Sequence, residues 1–208
     1  MVSGEDASPG FSDRAMILET NASAWEERLR LMDQAKERII LSTFDMRDGE
    51  STKDLLALIL EKADQGVQVQ ILVDGFSGLV RMTGRSLFQA VGSHPNIEIR
   101  HYNPINLLEP WKTQGRMHDK YVIVDDIGYI LGGRNSFDYF IGTYGTEHES
   151  LDREVLVYNP AHGTKEGSDS SLHEVEKYFE GVWNLDVTKP FADSEKLAEK
   201  KSVSDGWE

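Results

Sequence analysis

Residues 120–131 constrain the fold more than any other stretch of this chain. Tyr121-Val-Ile-Val124 is wholly apolar, Asp125-Asp-Ile-Gly128 is a turn, and Tyr129-Ile-Leu131 is apolar again. β-Branched and aromatic runs bounded by turn formers read as two neighbouring strands, the second returning antiparallel to the first. An unbroken apolar run lacks the in–out alternation of a strand with one wet face. The pair therefore belongs inside a sheet that is covered on both sides.

The covering layers are legible upstream. Trp25, Leu29, Met32 and Ala35 fall at helical spacing within residues 23–38, and residues 38–44 then read as a buried strand. Ser51-Thr-Lys-Asp54 resembles a capping box that opens a second helix through Leu55, Leu56, Ile59, Leu60 and Ala63, with Gly66 as its stop. Strands follow at 67–73 and 97–102, with a helix at 86–91 between them. Beyond the hairpin come a helical turn at 137–141, a strand at 154–158, and an amphipathic helix carrying Leu172, Val175, Phe179, Val182 and Trp183. Alternation of helix and strand predicts an α/β fold, with helices on both faces of one sheet.

A chain of 208 residues suits one core. Residues 1–12 read as a disordered lead-in, 13–187 as the domain, and 188–208 as a polar tail without another core element. There is no cysteine, which excludes disulfides and thiol chemistry. No apolar run approaches the roughly 18 residues of a membrane span, and the first residues lack the basic and apolar regions of a signal peptide. The expected location is cytoplasmic, or membrane-associated through a segment outside this sequence. With 22 basic against 36 acidic residues the net charge is −14, so bulk attraction to nucleic acid is unfavourable.

The chemistry is concentrated in residues 115–135. His118 and Lys120 are two apart at the head of the first strand, so they share a face. The return strand brings Gly132-Gly133-Arg134-Asn135 to the same end, where glycine lets backbone approach closely and the Asn135 amide can donate. Imidazole, ammonium and amide groups converging on one point suit a phosphoryl group. His118 attacks phosphorus, while Lys120 and Asn135, with the close backbone at Gly133, hold the non-bridging oxygens. Such chemistry needs neither metal nor organic cofactor.

This run resembles the phospholipase D superfamily signature: a His, one residue, a Lys, four residues, an Asp, then Gly-Gly-x-Asn. His118, Lys120, Asp125, Gly132, Gly133 and Asn135 match it at every spacing. The resemblance covers residues 24–183 and looks most like the N-terminal half of bacterial cardiolipin synthase-like proteins. It implies an α/β/α sandwich with a central mixed sheet, and transfer at phospholipid phosphodiesters through a phosphohistidine on His118. It also implies a second histidine, from a second motif copy, that protonates the leaving alcohol. Asp125 is set back from the phosphate in that pattern. Glu154, which follows Arg153, takes the place of the acid that orients the nucleophile, with Asp152 as its rival.

Only one copy of the motif is present. His148 and His173 are followed two residues later by Ser150 and Val175, so neither begins a second copy. The expected partner is a second motif-bearing half, supplied by a longer native chain in preference to a homodimer. A membrane surface is a further expected contact. Two other readings use the same residues: a metal-independent nuclease-type phosphodiesterase, and a non-catalytic half-domain that binds phosphate or assembles a partner.

Other side chains carry weaker expectations. Ser136 and Thr43 read as capping or packing groups before phosphate ligands, and Asp74-Gly75 as a tight turn. Arg116 and Arg134 either widen an anion pocket or are solvated surface charges. Leu107, Leu108 and Trp111 read as a buried loop anchor before a lipid entrance. Asn21-Ala-Ser reads as a helix start before a glycosylation site.

Overall fold

Apolar residues at consecutive positions of one strand must be buried on opposite faces, and the second and fifth strands do this. In the computed structural model, which describes residues 13–105, 111, 114–140, 144 and 146–191, β2 (Arg38–Thr43) sends Ile39 and Leu41 into one core and Ile40 into another. Likewise β5 (Tyr121–Val124) divides Val122 and Val124 from Tyr121 and Ile123. The first core lies under α1 (Asn21–Asp33), α2 (Glu50–Asp64) and α4 (Ser86–Gly92). The second lies under α5 (Leu172–Trp183), through Leu172, Phe179 and Trp183. The result is the expected α/β/α sandwich. Each such side chain contributes about 1.5–3 kcal/mol by burial, and a one-residue slip would exchange the two sets, so the register is firmly specified.

The sheet is mixed and eight-stranded. From one edge it runs β1 (Arg14–Leu18), β7 (Glu154–Tyr158), β6 (Gly128–Gly132), β5, β2, β3 (Gln68–Asp74), β4 (Ile97–Tyr102) and β8 (Thr188–Pro190). β2, β3 and β4 are parallel, and every other pairing is antiparallel. One end of the sheet therefore gathers the carboxyl ends of β2, β3, β4 and β6 with the amino ends of β5 and β7. Ligand sites of open α/β sheets sit at such an end.

Several boundaries differ from expectation. The first helix starts at Asn21 because the Thr20 hydroxyl accepts the Ser23 amide at 3.0 Å and Ser23 returns the bond. It ends at Asp33, well short of residue 38. Ser51 does not cap α2: that helix begins at Glu50, and Asp138 from a distant loop accepts the Ser51 amide at 2.9 Å and its hydroxyl at 2.6 Å. Gly66, at φ +99°, does stop it.

β1 was not expected, because as an edge strand it buries only Leu18 of its five residues. β8 and the buried Phe191 likewise correct the expected tail, since the chain makes a strand at Thr188–Pro190 and then re-enters the first core. The expected turn at 137–141 is a single turn closed by Phe140 N on Phe137 O at 3.0 Å. Residues 1–12, Leu107, Leu108, Ile141 and 192–208 lie outside the described residues.

Candidate active site

Lys120 stands one residue before β5 and is buried there. Its carbonyl accepts the Gly132 amide at 3.2 Å, and Gly132 pairs with Glu154 across the next strand. Lys120, Gly132 and Glu154 thus form one row across three strands. A Cβ on Gly132 would lie 2.4 Å from Glu154 Cγ, so only glycine fits between the lysine and the acid.

The Lys120 ammonium donates to the His118 carbonyl at 2.7 Å and lies 3.1 Å from His118 Nδ1. Its desolvation pushes the lysine pKa down. His118 is exposed, with its ring against Phe44 at a centroid distance of 4.8 Å. The sequence reading of a shared face for these two side chains agrees with this contact.

The segment leading into His118 is held by Asp74. This fully buried carboxylate accepts the Met117 amide at 3.0 Å, the Phe76 amide at 3.0 Å and Arg116 Nη1 at 3.2 Å. Asp74 is therefore more than a turn residue: it ties the end of β3 to the segment that leads into His118. Arg116, which also donates to Asn103 O at 2.7 Å, is neither a pocket cation nor a solvated charge.

Asn135 is oriented just as firmly. Its Oδ1 accepts the Asp45 amide at 3.1 Å, and the Ser136 amide donates to Asp45 O at 3.1 Å. With Oδ1 fixed, Nδ2 makes no hydrogen bond among the described residues and is available to an oxygen ligand. Asp45 is itself held by Ser77 Oγ at 2.6 Å and Arg47 Nη2 at 2.6 Å. Thr43 donates to Asp45 O at 3.2 Å, a turn contact as expected. Ser136 is buried, with its backbone in the Asp45 contact and its carbonyl accepting Thr52 Oγ1 at 3.0 Å.

Gly133 is packed against Asp152, whose carboxylate lies where a Cβ would be and accepts the Arg153 amide at 2.7 Å. Asp152 is thereby a backbone cap beside the glycine pair.

The expectations for Glu154 and Arg134 are corrected by their surroundings. Glu154 makes no hydrogen bond with His118. It is buried against Arg28 at 2.7 Å and 3.7 Å from Arg134, with Oε2 hydrogen-bonded to nothing among the described residues. Arg134 is not at the surface or in an anion pocket. It is buried, donates to Asn21 Oδ1 at 3.0 Å and to the carbonyls of Leu18, Glu19 and Asp152, and desolvation lowers its pKa.

Asp125 lies past the far end of β5, five residues from Lys120, or about 16 Å along an extended strand. There, at φ +45°, it accepts the amides of Lys36, Glu37 and Arg38 at 2.8, 3.1 and 2.6 Å. It fastens the start of β2 and touches no site residue. Trp111, expected as a buried anchor, is 70% exposed. Asn21, the first residue of α1, is buried with its amide on Glu149 and Ser150.

Phe44, Asp45, Ser77 and Arg28 were missed by sequence reasoning, and Asp74 was read only as a turn residue. Each acts across a long sequence separation, and none stands in the His-Lys-Asn run. Among the described residues no group of three His, Asp or Glu side chains is placed to hold a metal ion.

A family model described as cardiolipin synthase, PLD-like domain, matches residues 29–183. Cardiolipin synthase C of Escherichia coli K12 is 30% identical over 157 residues, covering 69% of this chain and 31% of that protein. Cardiolipin synthase B of the same strain is 28% identical over 150 residues, 71% of this chain and 35% of its own length. The chain thus spans about a third of these relatives. Among solved structures, the phospholipase D family member Nuc from Salmonella typhimurium aligns with a TM-score of 0.58 at 17% identity, over 86% of this chain and 97% of its own. NucT from Helicobacter pylori aligns at 0.60 and 14% identity, over 82% and 95%. Those two similarities speak for the fold. The family match across most of its length places this chain in the cardiolipin synthase-type, phospholipase D-like family.

Proposed function

We propose that this chain supplies one half of an active site that transfers or hydrolyses phospholipid phosphodiesters through a phosphohistidine, as in phosphatidyl transfer to an alcohol. The observation that carries the reading is the constellation at the head of β5. An exposed imidazole lies 3.1 Å from a desolvated ammonium, and the amide of Asn135 is locked with its NH₂ group free.

With the Lys120 ammonium donating to Nδ1, the ring proton of a neutral His118 sits on Nε2, which is then no nucleophile. The anionic non-bridging oxygens of a phosphodiester offer Lys120 a better acceptor. Drawing the ammonium onto a non-bridging oxygen frees Nδ1 to take the proton and leaves Nε2 with its lone pair. Nε2 then forms a bond to phosphorus as the bond to the leaving alkoxide oxygen breaks. That oxygen takes a proton from a histidine of a second motif-bearing half. In the return step the acceptor alcohol gives up its proton to the same base, attacks phosphorus, and releases His118. Lys120 and Asn135 stabilise the charge on the non-bridging oxygens in both steps.

The test is metal-free turnover of a chromogenic phosphodiester across a protein dilution series, beside His118→Ala. Specific activity that falls on dilution and vanishes in the variant is the result expected of a self-paired site. Activity restored by adding a chain that carries a second motif copy marks a half site. Turnover that survives His118→Ala overturns the reading.

A further inference from the structure

The turn beside the site is fastened on one side and apolar on the other. α3 (Gly75–Ser77) runs on into a π-helical turn at Gly78–Met82. On the inner side Asp74 caps its first turn, Ser77 Oγ donates to Asp45 Oδ1 at 2.6 Å, and Gly78 sits so close to His101 that a Cβ would fall 2.4 Å from its ring. On the outer side Phe76, Leu79 and Val80 stand at i, i+3 and i+4, and are 51%, 47% and 49% exposed. Three large apolar side chains on one helical face, held out by buried polar anchors, are not explained by packing within the domain.

The charge around them selects the occupant. The chain has 36 acidic residues, yet residues 75–97 contain none, while Arg81 and Arg85 follow the apolar group. Among the described residues neither arginine has an acidic partner. An apolar wedge rimmed by cations, on a protein otherwise strongly acidic, is complementary to an anionic bilayer surface.

We infer that the turn spanning residues 76–85 is an interfacial docking surface for anionic phospholipid membranes. It seats Phe76, Leu79 and Val80 among the upper acyl chains, with Arg81 and Arg85 at the headgroups. Asp74, which caps this turn, also holds Met117 next to His118, so docking brings the nucleophile to the level of the headgroup phosphodiester. The net charge of −14 opposes bulk attraction to an anionic surface, so contact is favoured where this local exception faces the bilayer. The inference rests on the phospholipid reading of the site, but its readout is binding and needs no turnover.

The experiment is co-flotation of the full chain with phosphatidylglycerol-rich vesicles and with neutral phosphatidylcholine vesicles, at low and high salt. The parent should float with the anionic vesicles and less so in salt. Phe76→Ser/Leu79→Ser/Val80→Ser should lower partitioning by about tenfold or more, from the apolar area withdrawn. Arg81→Gln/Arg85→Gln should remove the preference for anionic lipid. His118→Ala should float like the parent, and both surface variants should retain the parent's turnover of a soluble chromogenic diester. Flotation unchanged in the triple variant, or absent in the parent, overturns the docking surface even where diester turnover persists. Loss of self-association in the triple variant, with flotation intact, assigns the patch to a protein partner and also overturns it. A parent that floats but turns over no diester, alone or with a second half, leaves docking in place and defeats only the chemistry.

Discussion

The backbone amide of Asp45 donates to Asn135 Oδ1 at 3.1 Å, which decides which end of the Asn135 amide faces the site. Asn135→Asp keeps that acceptor but replaces the free NH₂ with a charged oxygen. Phosphodiester turnover is expected to fall by about 10²–10³, the usual cost of losing one donor to a developing charge. Unchanged circular dichroism beside the lost rate would place the effect in the site and not in the fold.

The buried pair Arg28–Glu154, at 2.7 Å, joins α1 to the first residue of β7. Arg28→Met leaves the acid without its nearest cation, and stability should drop by about 3–5 kcal/mol. Adding Glu154→Gln removes the buried charge and should recover a large part of that loss. Urea unfolding of the parent, the single variant and the double variant measures both effects.

Desolvation lowers the Lys120 pKa below its ordinary 10.5. Between the folded value and 10.5 the unfolded chain therefore holds a proton that the folded chain has released, and folding becomes more favourable as pH rises through that window. Lys120→Met lacks this titration. The stability of the parent relative to the variant should rise between neutral pH and about 10.5, as followed by urea midpoints at stepped pH. A difference that stays flat would mean that Lys120 is not desolvated in solution.

Asp125 accepts three amides at the start of β2 and lies at the far end of β5 from His118. Asp125→Ala should lower stability by about 2–3 kcal/mol, because those amides lose their acceptor. Turnover per folded molecule should stay at the parent value. A rate loss in fully folded Asp125→Ala would assign it a part in the chemistry after all.

What could be read from the sequence follows the physical range of each interaction. β4 and β7 fell where expected, because their composition and flanking turns are local properties. The helix ends moved because their caps are partly remote: Asp138 serves α2 from another loop. β1 escaped notice since four of its five residues are exposed and no pattern marks them. The spacing of His118, Lys120 and Asn135 carried the site, because one hairpin positions all three. Their supports Asp45, Asp74 and Arg28 come from other strands and a helix, and nothing in a linear reading joins them to the motif.

β1 and β8 lie at the two margins of the sheet, and both fall outside the span 29–183 by which the family is recognised. The unit that can be recognised is thus smaller than the unit that folds. A protein trimmed to the recognisable span would leave β7 and β4 as bare margins, each with a row of unpaired backbone groups that invites a neighbouring chain. The same cut removes Arg28 and Phe191, so insolubility of such a fragment would reflect where it was trimmed and not any property of His118, Lys120 or Asn135.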